Sequence, residues 1–258
     1  MPHSPQNPDV PSTGTRWANT GQIVLGLLPR IGDAESTETV ATLFHEAVIC
    51  IGADAGVFMS HLQDDATRTS LRSLWTCDPM WTAEYASRSW FLHDPWLQYA
   101  THESEPVLAS ALQPRTSEQQ DFQTAAALHG FASVLIAPAP SGVGMSRVGV
   151  LCLGSQQVGY FERLGDATVR VLARALAMEL HRWLQHSLRQ ELLHRSHITE
   201  AELELLRHEA AGHSSKAIAA ALQVEPTTID CRFQRLNAKL NAPDRRTAAR
   251  IASLYGLL

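Results

Sequence analysis

The stretch WTAEYASRSWFLHDPW (81–96) gathers Trp81, Tyr85, Trp90, Phe91 and Trp96 around Asp94, which is followed at once by Pro95. A carboxylate among indole and phenol rings is costly unless its oxygens find donors. Trp81 and Tyr85 are four residues apart on an expected helix and so share a face. Their rings can wall an apolar cavity while the indole N–H and the phenol O–H act as donors inside it. Asp94 adds an acceptor, so an amphiphile with an amide and carbonyl groups would satisfy all three. A plainer reading remains open. Asp94 with Pro95 also suits the cap and first position of a helix, and Trp90, Phe91 and Trp96 are then ordinary core packing, whereas in the cavity reading they pack around the pocket or line its walls.

A second set of chemically able residues lies at the C-terminal end. Thr199 and Glu202 have the spacing of a capping box, and Gly212 stops the helix they open. Leu203, Leu206 and Ala210 form its expected inward face. Ser214 or Ser215 caps a second helix with Ile218, Ala219 and Leu222 inward, and after a short turn Pro226 opens a third helix running to Leu240. Projected at about 100° per residue, Ile229, Phe233, Leu236 and Leu240 of that helix share a buried face. The opposite face carries Thr227, Cys231, Gln234 and Ala238 with Arg235 near its edge, and Thr228, Arg232 and Lys239 lie on one flank. Such a surface offers hydrogen bonds to base edges and cations to phosphates. The same layout also fits a helical bundle used for protein contact, because helix-turn-helix shape is not itself DNA binding.

These sites need a scaffold. The chain has 258 residues, 45% hydrophobic and 18% charged, which supports packed cores and argues against global disorder. Its net charge of -5 disfavours non-specific nucleic-acid binding by the whole molecule. From Ile198 onward, however, eight basic residues meet seven acidic ones, with Glu200, Glu202, Glu204 and Glu209 early and Arg232, Arg235, Lys239, Arg245, Arg246 and Arg250 late. Cys50, Cys77, Cys152 and Cys231 are scattered, which suggests reduced thiols in a cytosol, and no metal-binding spacing occurs. No apolar run is long enough to span a membrane, so a cytoplasmic protein without membrane contact is expected. No cofactor is expected either.

Helical spacing is expected at 23–28 and 40–51, and strands at 55–62 and 72–76 flank the turn-like QDDAT (63–67). Short helices at 79–88 and 95–102, a possible strand at 106–110 and a helix from Ser117 to Gly130 follow. Strands at 132–139 and 147–155 flank the loop SGVGMS, and a long helix runs from roughly Phe161 to Leu193. This order implies an α/β sandwich on a mostly antiparallel sheet with helices on both faces, joined to an all-α helix-turn-helix domain. The expected divisions are a mobile tail at 1–17, a ligand-sensing domain at 18–185, a linker at 186–197 and a DNA-binding domain at 198–258.

The C-terminal segment resembles the DNA-binding domain of LuxR-type regulators almost without gaps. The resemblance rests on Ile198, Thr199, Glu202, Leu205, Leu206, Gly212, Ile218, Ala219, Leu222, Thr228, Ile229, Lys239, Leu240, Arg245, Ala248 and the final GLL. It implies a third helix in the major groove of promoter DNA, backbone contacts from Lys239 and Arg245, and dimers on palindromic sites. Asp230 departs from a usual basic or polar residue and Gln223 from a usual turn glycine, which implies a strained turn. Trp81, Tyr85, Asp94 and Pro95 resemble that family's sensor for acyl-homoserine lactones, more loosely from about 36 to 185 with Gly130 and Pro138. In such sensors the indole N–H holds the lactone carbonyl, the phenol contacts the acyl end and the carboxylate accepts the ligand amide.

Three departures point to a related but altered pocket. Ala109 stands for a usual tryptophan, Val134 for a second glycine and Cys152 where a hydroxyl side chain is common. A different signal or a changed chain preference is therefore expected, with a ligand-independent member of the same family as the alternative. Val169, Leu172, Leu176, Leu180 and Trp183 form one face of the long helix, while Val171, Ala175 and Met178 form a second stripe suited to a two-fold interface. An enzyme is disfavoured, because no nucleophile elbow, paired-cysteine site or phosphate-cradling loop occurs.

Overall fold

In the computed structural model, residues 13–63, 69–141, 147–165 and 167–258 are described. The tail to residue 12, most of the turn at 63–67 and most of the loop at 141–146 lie outside them. Helix α1 (Thr13–Gly32) begins soon after Pro11, the last proline of the tail, so residues 13–17 are helical. It packs on α2 (Thr37–Ile51), whose cap Ser36 accepts a hydrogen bond from the Thr39 amide. Val40, Leu43, Phe44, Ala47, Val48 and Ile51 bury one face of α2.

Five strands, β1 (Ala55–Gln63), β2 (Thr69–Thr76), β3 (Val107–Leu108), β4 (Ser133–Pro140) and β5 (Arg147–Ser155), form one antiparallel sheet in the order β2-β1-β5-β4-β3. The short edge strand β3 pairs Val107 with Ile136 and Leu108 with Leu135 of β4. β5 is buried along its whole length, as expected of a strand in the middle of a covered sheet. Between β2 and β4 lie α3 (Pro79–Ser87), a 3-10 turn (Trp90–Leu92), α4 (Pro95–His102), a second 3-10 turn (Ala109–Ala111) and α5 (Ser117–Leu128).

The long C-terminal helix of the sensor region is broken in two. Gly165, with φ of 54°, separates α6 (Tyr160–Leu164) from α7 (Ala167–Ser196). The polar stretch 186–197 does not interrupt α7, which continues to Ser196, and His197 then turns the chain at φ of 49°. Its Leu, Gln, Arg and Glu residues are good helix formers, and Leu188 and Leu192 are buried. Two compact units emerge, one of Met1–Met59, Ser73–Ala139 and Gly149–Leu180, the other of Ser60–Arg72, Pro140–Val148 and His181–Leu258. Their boundary falls within α7.

The second unit includes α8 (Glu200–Ala210), α9 (Ser215–Leu222), α10 (Pro226–Leu240) and α11 (Arg245–Leu254). Leu203, Leu205, Leu206, Ile218, Ile229, Phe233, Leu236, Leu240, Ala248 and Ala252 share its core. Ala210, expected inward, is exposed because it sits in the last turn of α8, while Leu205 is buried in its place.

Candidate functional site

The Asp94 carboxylate divides its two oxygens between the cap of a helix and a neighbouring phenol. Oδ1 accepts from the Trp96 amide at 2.8 Å and the Leu97 amide at 3.1 Å, which caps α4. Oδ2 accepts from the Tyr85 hydroxyl at 2.9 Å. A carboxylate offers about four lone-pair positions. Three are filled from within the chain, and the remaining one is on Oδ2. The residue is fully buried, and that burial pushes its pKa up to about 6 against the opposing hydrogen bonds of Leu97, Tyr85 and Trp96. Burial first, then the Asp94 charge, also raises the Tyr85 phenol and the Cys152 thiol, so both stay neutral.

Aromatic rings surround this pair. Trp81 lies 5.9 Å from Tyr85, edge-on, as expected for residues four apart on α3. Phe122, on the inward face of α5, stands in the middle. Its ring centroid is 4.8 Å from Trp96, 5.7 Å from both Trp81 and Trp90, and 6.2 Å from Tyr85. Phe131 adds contacts to Trp96 and Trp81, and Trp75 of β2 meets Tyr85 at 5.2 Å. The indole nitrogens of Trp90 and Trp96 are buried without a hydrogen-bond partner. Trp81, Tyr85, Asp94, Trp96, Val134 and Cys152 are all buried, whereas Ala109 is half-buried in its 3-10 turn.

On α10, Thr227, Asp230, Cys231, Gln234, Arg235 and Ala238 are exposed, and Thr228 and Arg232 are half-buried. The two other cations of interest are engaged within the unit. Lys239 Nζ donates to Glu202 Oε2 at 2.7 Å and to the His197 carbonyl at 3.0 Å. Arg245 Nη1 donates to Ser215 Oγ at 2.8 Å, its Nε lies 3.0 Å from Glu209 Oε2, and its guanidinium covers the Phe233 ring. Ser215 in turn donates to Asp230 Oδ1 at 2.8 Å.

Two family models match the chain, one described as the autoinducer binding domain over residues 36–184, the other as bacterial regulatory proteins of the luxR family over 196–252. The chain belongs to the LuxR-type autoinducer-binding regulators.

Its fold is shared with Escherichia coli SdiA at a TM-score of 0.68 and 19% identity, over 92% of this chain and 98% of that one. SdiA in complex with octanoyl-rac-glycerol gives the same TM-score at 18% identity, over 96% and 98%. The N-acylhomoserine lactone dependent LuxR-family factor CepR2 from Burkholderia cenocepacia gives 0.51 at 17% identity, over 66% of this chain and 96% of that one. No curated protein sequence matches this chain. A LuxR-type regulator is a ligand-responsive transcription regulator, and the two matched regions are the ones that carry those two parts of the description.

For this LuxR-type chain, spacing brought Trp81, Tyr85 and Asp94 to notice but not the residues that complete the chamber. Phe122 and Ala126, four apart and both buried, were the available signal for an inward face on α5. His129 and Phe131 flank Gly130, whose φ of 96° turns the chain out of α5 toward β4. Nothing in local periodicity announces that Phe122 reaches four other rings.

Proposed function

We propose that the chain binds a small acylated signal, an acyl-homoserine lactone or a related amide or ester, in the chamber around Asp94, and as a homodimer binds palindromic promoter DNA through α10. The single acceptor position left on Asp94 Oδ2 carries the reading, because it matches one ligand N–H or O–H among buried aromatic rings. Buried indole donors at Trp90 and Trp96 are suited to ligand carbonyl oxygens. SdiA's octanoyl-rac-glycerol complex makes an acylglycerol a second class worth testing beside the lactones. Ala109 and Val134, which alter wall and floor relative to the family pattern, favour a changed signal or chain preference. Thr227, Thr228, Cys231, Gln234 and Arg235 are the proposed base-reading and edge residues, with Arg232 and Arg235 at phosphates. Lys239 and Arg245 contribute to DNA binding mainly by holding α8, α9 and α10 in register, given their internal partners.

Calorimetry with a panel of acyl-homoserine lactones and 1-octanoyl glycerol tests the reading. Nanomolar binding of an ordinary short-chain lactone would sink the changed-signal idea. A ligand-independent regulator is the second reading, favoured by the place of Phe122, which fills the middle of the chamber with the protein's own ring. Identical gel shifts with and without every ligand tested would support it over the first.

A further inference from the structure

His129 follows α5 at its C-terminal end, and its ring is held on three sides by one helix. Nδ1 lies 3.1 Å from Asp78 Oδ2, Nε2 lies 3.3 Å from Glu84 Oε2, and the ring stacks on Trp81 at 5.5 Å and 27°. Asp78, Trp81 and Glu84 are spaced three apart, so α3 presents all three along one face. We propose that His129 is a positioning residue for Trp81. It clamps the indole at the angle from which it meets the ligand, by tying both ends of α3 to the end of α5. This rests on the reading of the chamber as a signal site. A neutral imidazole donates from one nitrogen only, so the clamp is complete only when the ring carries both protons. The doubly protonated ring is also the form attracted to the indole face.

The charged surroundings are few. On α3, Glu84 also holds Arg88 at 3.0 Å, and Asp78 caps the helix through the Met80 amide. His45 of α2, Asp54 before β1, and Cys77 after β2 line the same cleft of about 390 Å³ beside His129, and Asp54 is engaged with Ser155 and the Gln156 amide. His129 itself is only 17% exposed on its side chain and lines this cleft.

The test uses the full chain, labelled with ¹⁵N in histidine and tryptophan, as wild type, His129→Gln and Glu84→Gln. In Glu84→Gln, which keeps the His129 ring, the Trp81 indole resonance shifts and broadens relative to wild type, and it does so further in His129→Gln. Calorimetry with N-octanoyl-homoserine lactone then gives about tenfold weaker binding to His129→Gln than to wild type at about pH 6, with Glu84→Gln between them. Comparing variants at each pH removes the common contribution of Asp94. A Trp81 indole resonance unchanged in Glu84→Gln, or equal affinities of wild type and His129→Gln at every pH, overturns the proposal. If wild type binds neither that lactone nor 1-octanoyl glycerol, these two ligand classes are ruled out for the site, and the Trp81 indole comparison alone decides the clamp.

Discussion

Asp94 holds three donors on two oxygens with no exposed surface, and its pKa of about 6 sets how that arrangement responds to acid. The folded value lies above the ordinary carboxylate value of 3.8, so the folded chain keeps a proton that the unfolded chain has released. The stability from that proton is fully present below about pH 4 and is lost as pH rises through about 6, a change of order 3 kcal/mol. Asp94→Asn has no such titration. Its melting temperature should therefore gain on wild type between about pH 4 and 7. Parallel melting curves for the two would show that Asp94 does not titrate as described. A ligand N–H on Oδ2 prefers the ionised form, so affinity for an acyl amide should rise through the same interval in calorimetry. At the centre of the chamber, Phe122→Ala should cost about 3–5 kcal/mol in denaturant unfolding. An acylated ligand that occupies the vacated space should restore part of it, and no restoration by any ligand would favour the self-filled reading.

Among the elements, α9 and α10 show how a tight turn is built at some expense. Gln223 caps α9 at φ of 54° and ψ of 45°, a left-handed conformation that a side chain adopts with strain. Gln223→Gly should raise the stability of this unit by roughly 0.5–1 kcal/mol in denaturant titration. No gain would mean that Gln223 has compensating contacts. The capping box of α8 forms as its spacing indicates, with Thr199 and Glu202 exchanging hydrogen bonds. Glu202 also takes Lys239. Burial opposes ionisation of Glu202, but the Lys239 and Thr199 hydrogen bonds outweigh it and lower its pKa. On α10, Arg235→Ala should weaken promoter binding across sequences and lower the salt slope of log K by about one. Gln234→Ala, at an exposed position of the same helix, should instead change sequence preference. A salt slope left intact by Arg235→Ala would place the phosphate contact elsewhere.

On the scale of the whole molecule, α7 carries two apolar stripes, one buried and one partly exposed. Val169, Leu172, Leu176, Leu180 and Trp183 are buried in the chain's own cores, while Val171 and Met178 are 65% and 42% exposed. Reading palindromic DNA requires two copies related by a two-fold axis, and this outward stripe is the proposed place for them to meet. Met178→Glu should shift the chain toward monomer in sedimentation velocity and weaken binding to a palindrome more than to a half-site. A dimer that survives both Met178→Glu and Val171→Glu would move the interface off α7. Charge is unevenly distributed along the chain. Of the whole chain's net charge of -5, the helix-turn-helix segment carries +1 and the remainder -6, and the basic residues of that segment cluster in its last two helices.

Much of this architecture was legible in the order of residues. Helix caps, the Pro at the start of α4 and α10, the turn glycines and the 3.6-residue spacing of apolar side chains act over a few residues, so the sequence alone determines helices, strands and the helix-turn-helix layout. The pairing of Trp81 with Tyr85 was legible for the same reason. The break at Gly165 was not, because apolar spacing continues across it and only the left-handed φ separates α6 from α7. Tertiary structure also decided what Asp94 does with its second oxygen, that Phe122 fills the space between four rings, and that His129 meets both Asp78 and Glu84. It decided that Lys239 and Arg245 turn toward carboxylates of their own unit. These depend on contacts between residues tens of positions apart, brought together by the sheet and by the packing of helices, and no local period encodes such distances.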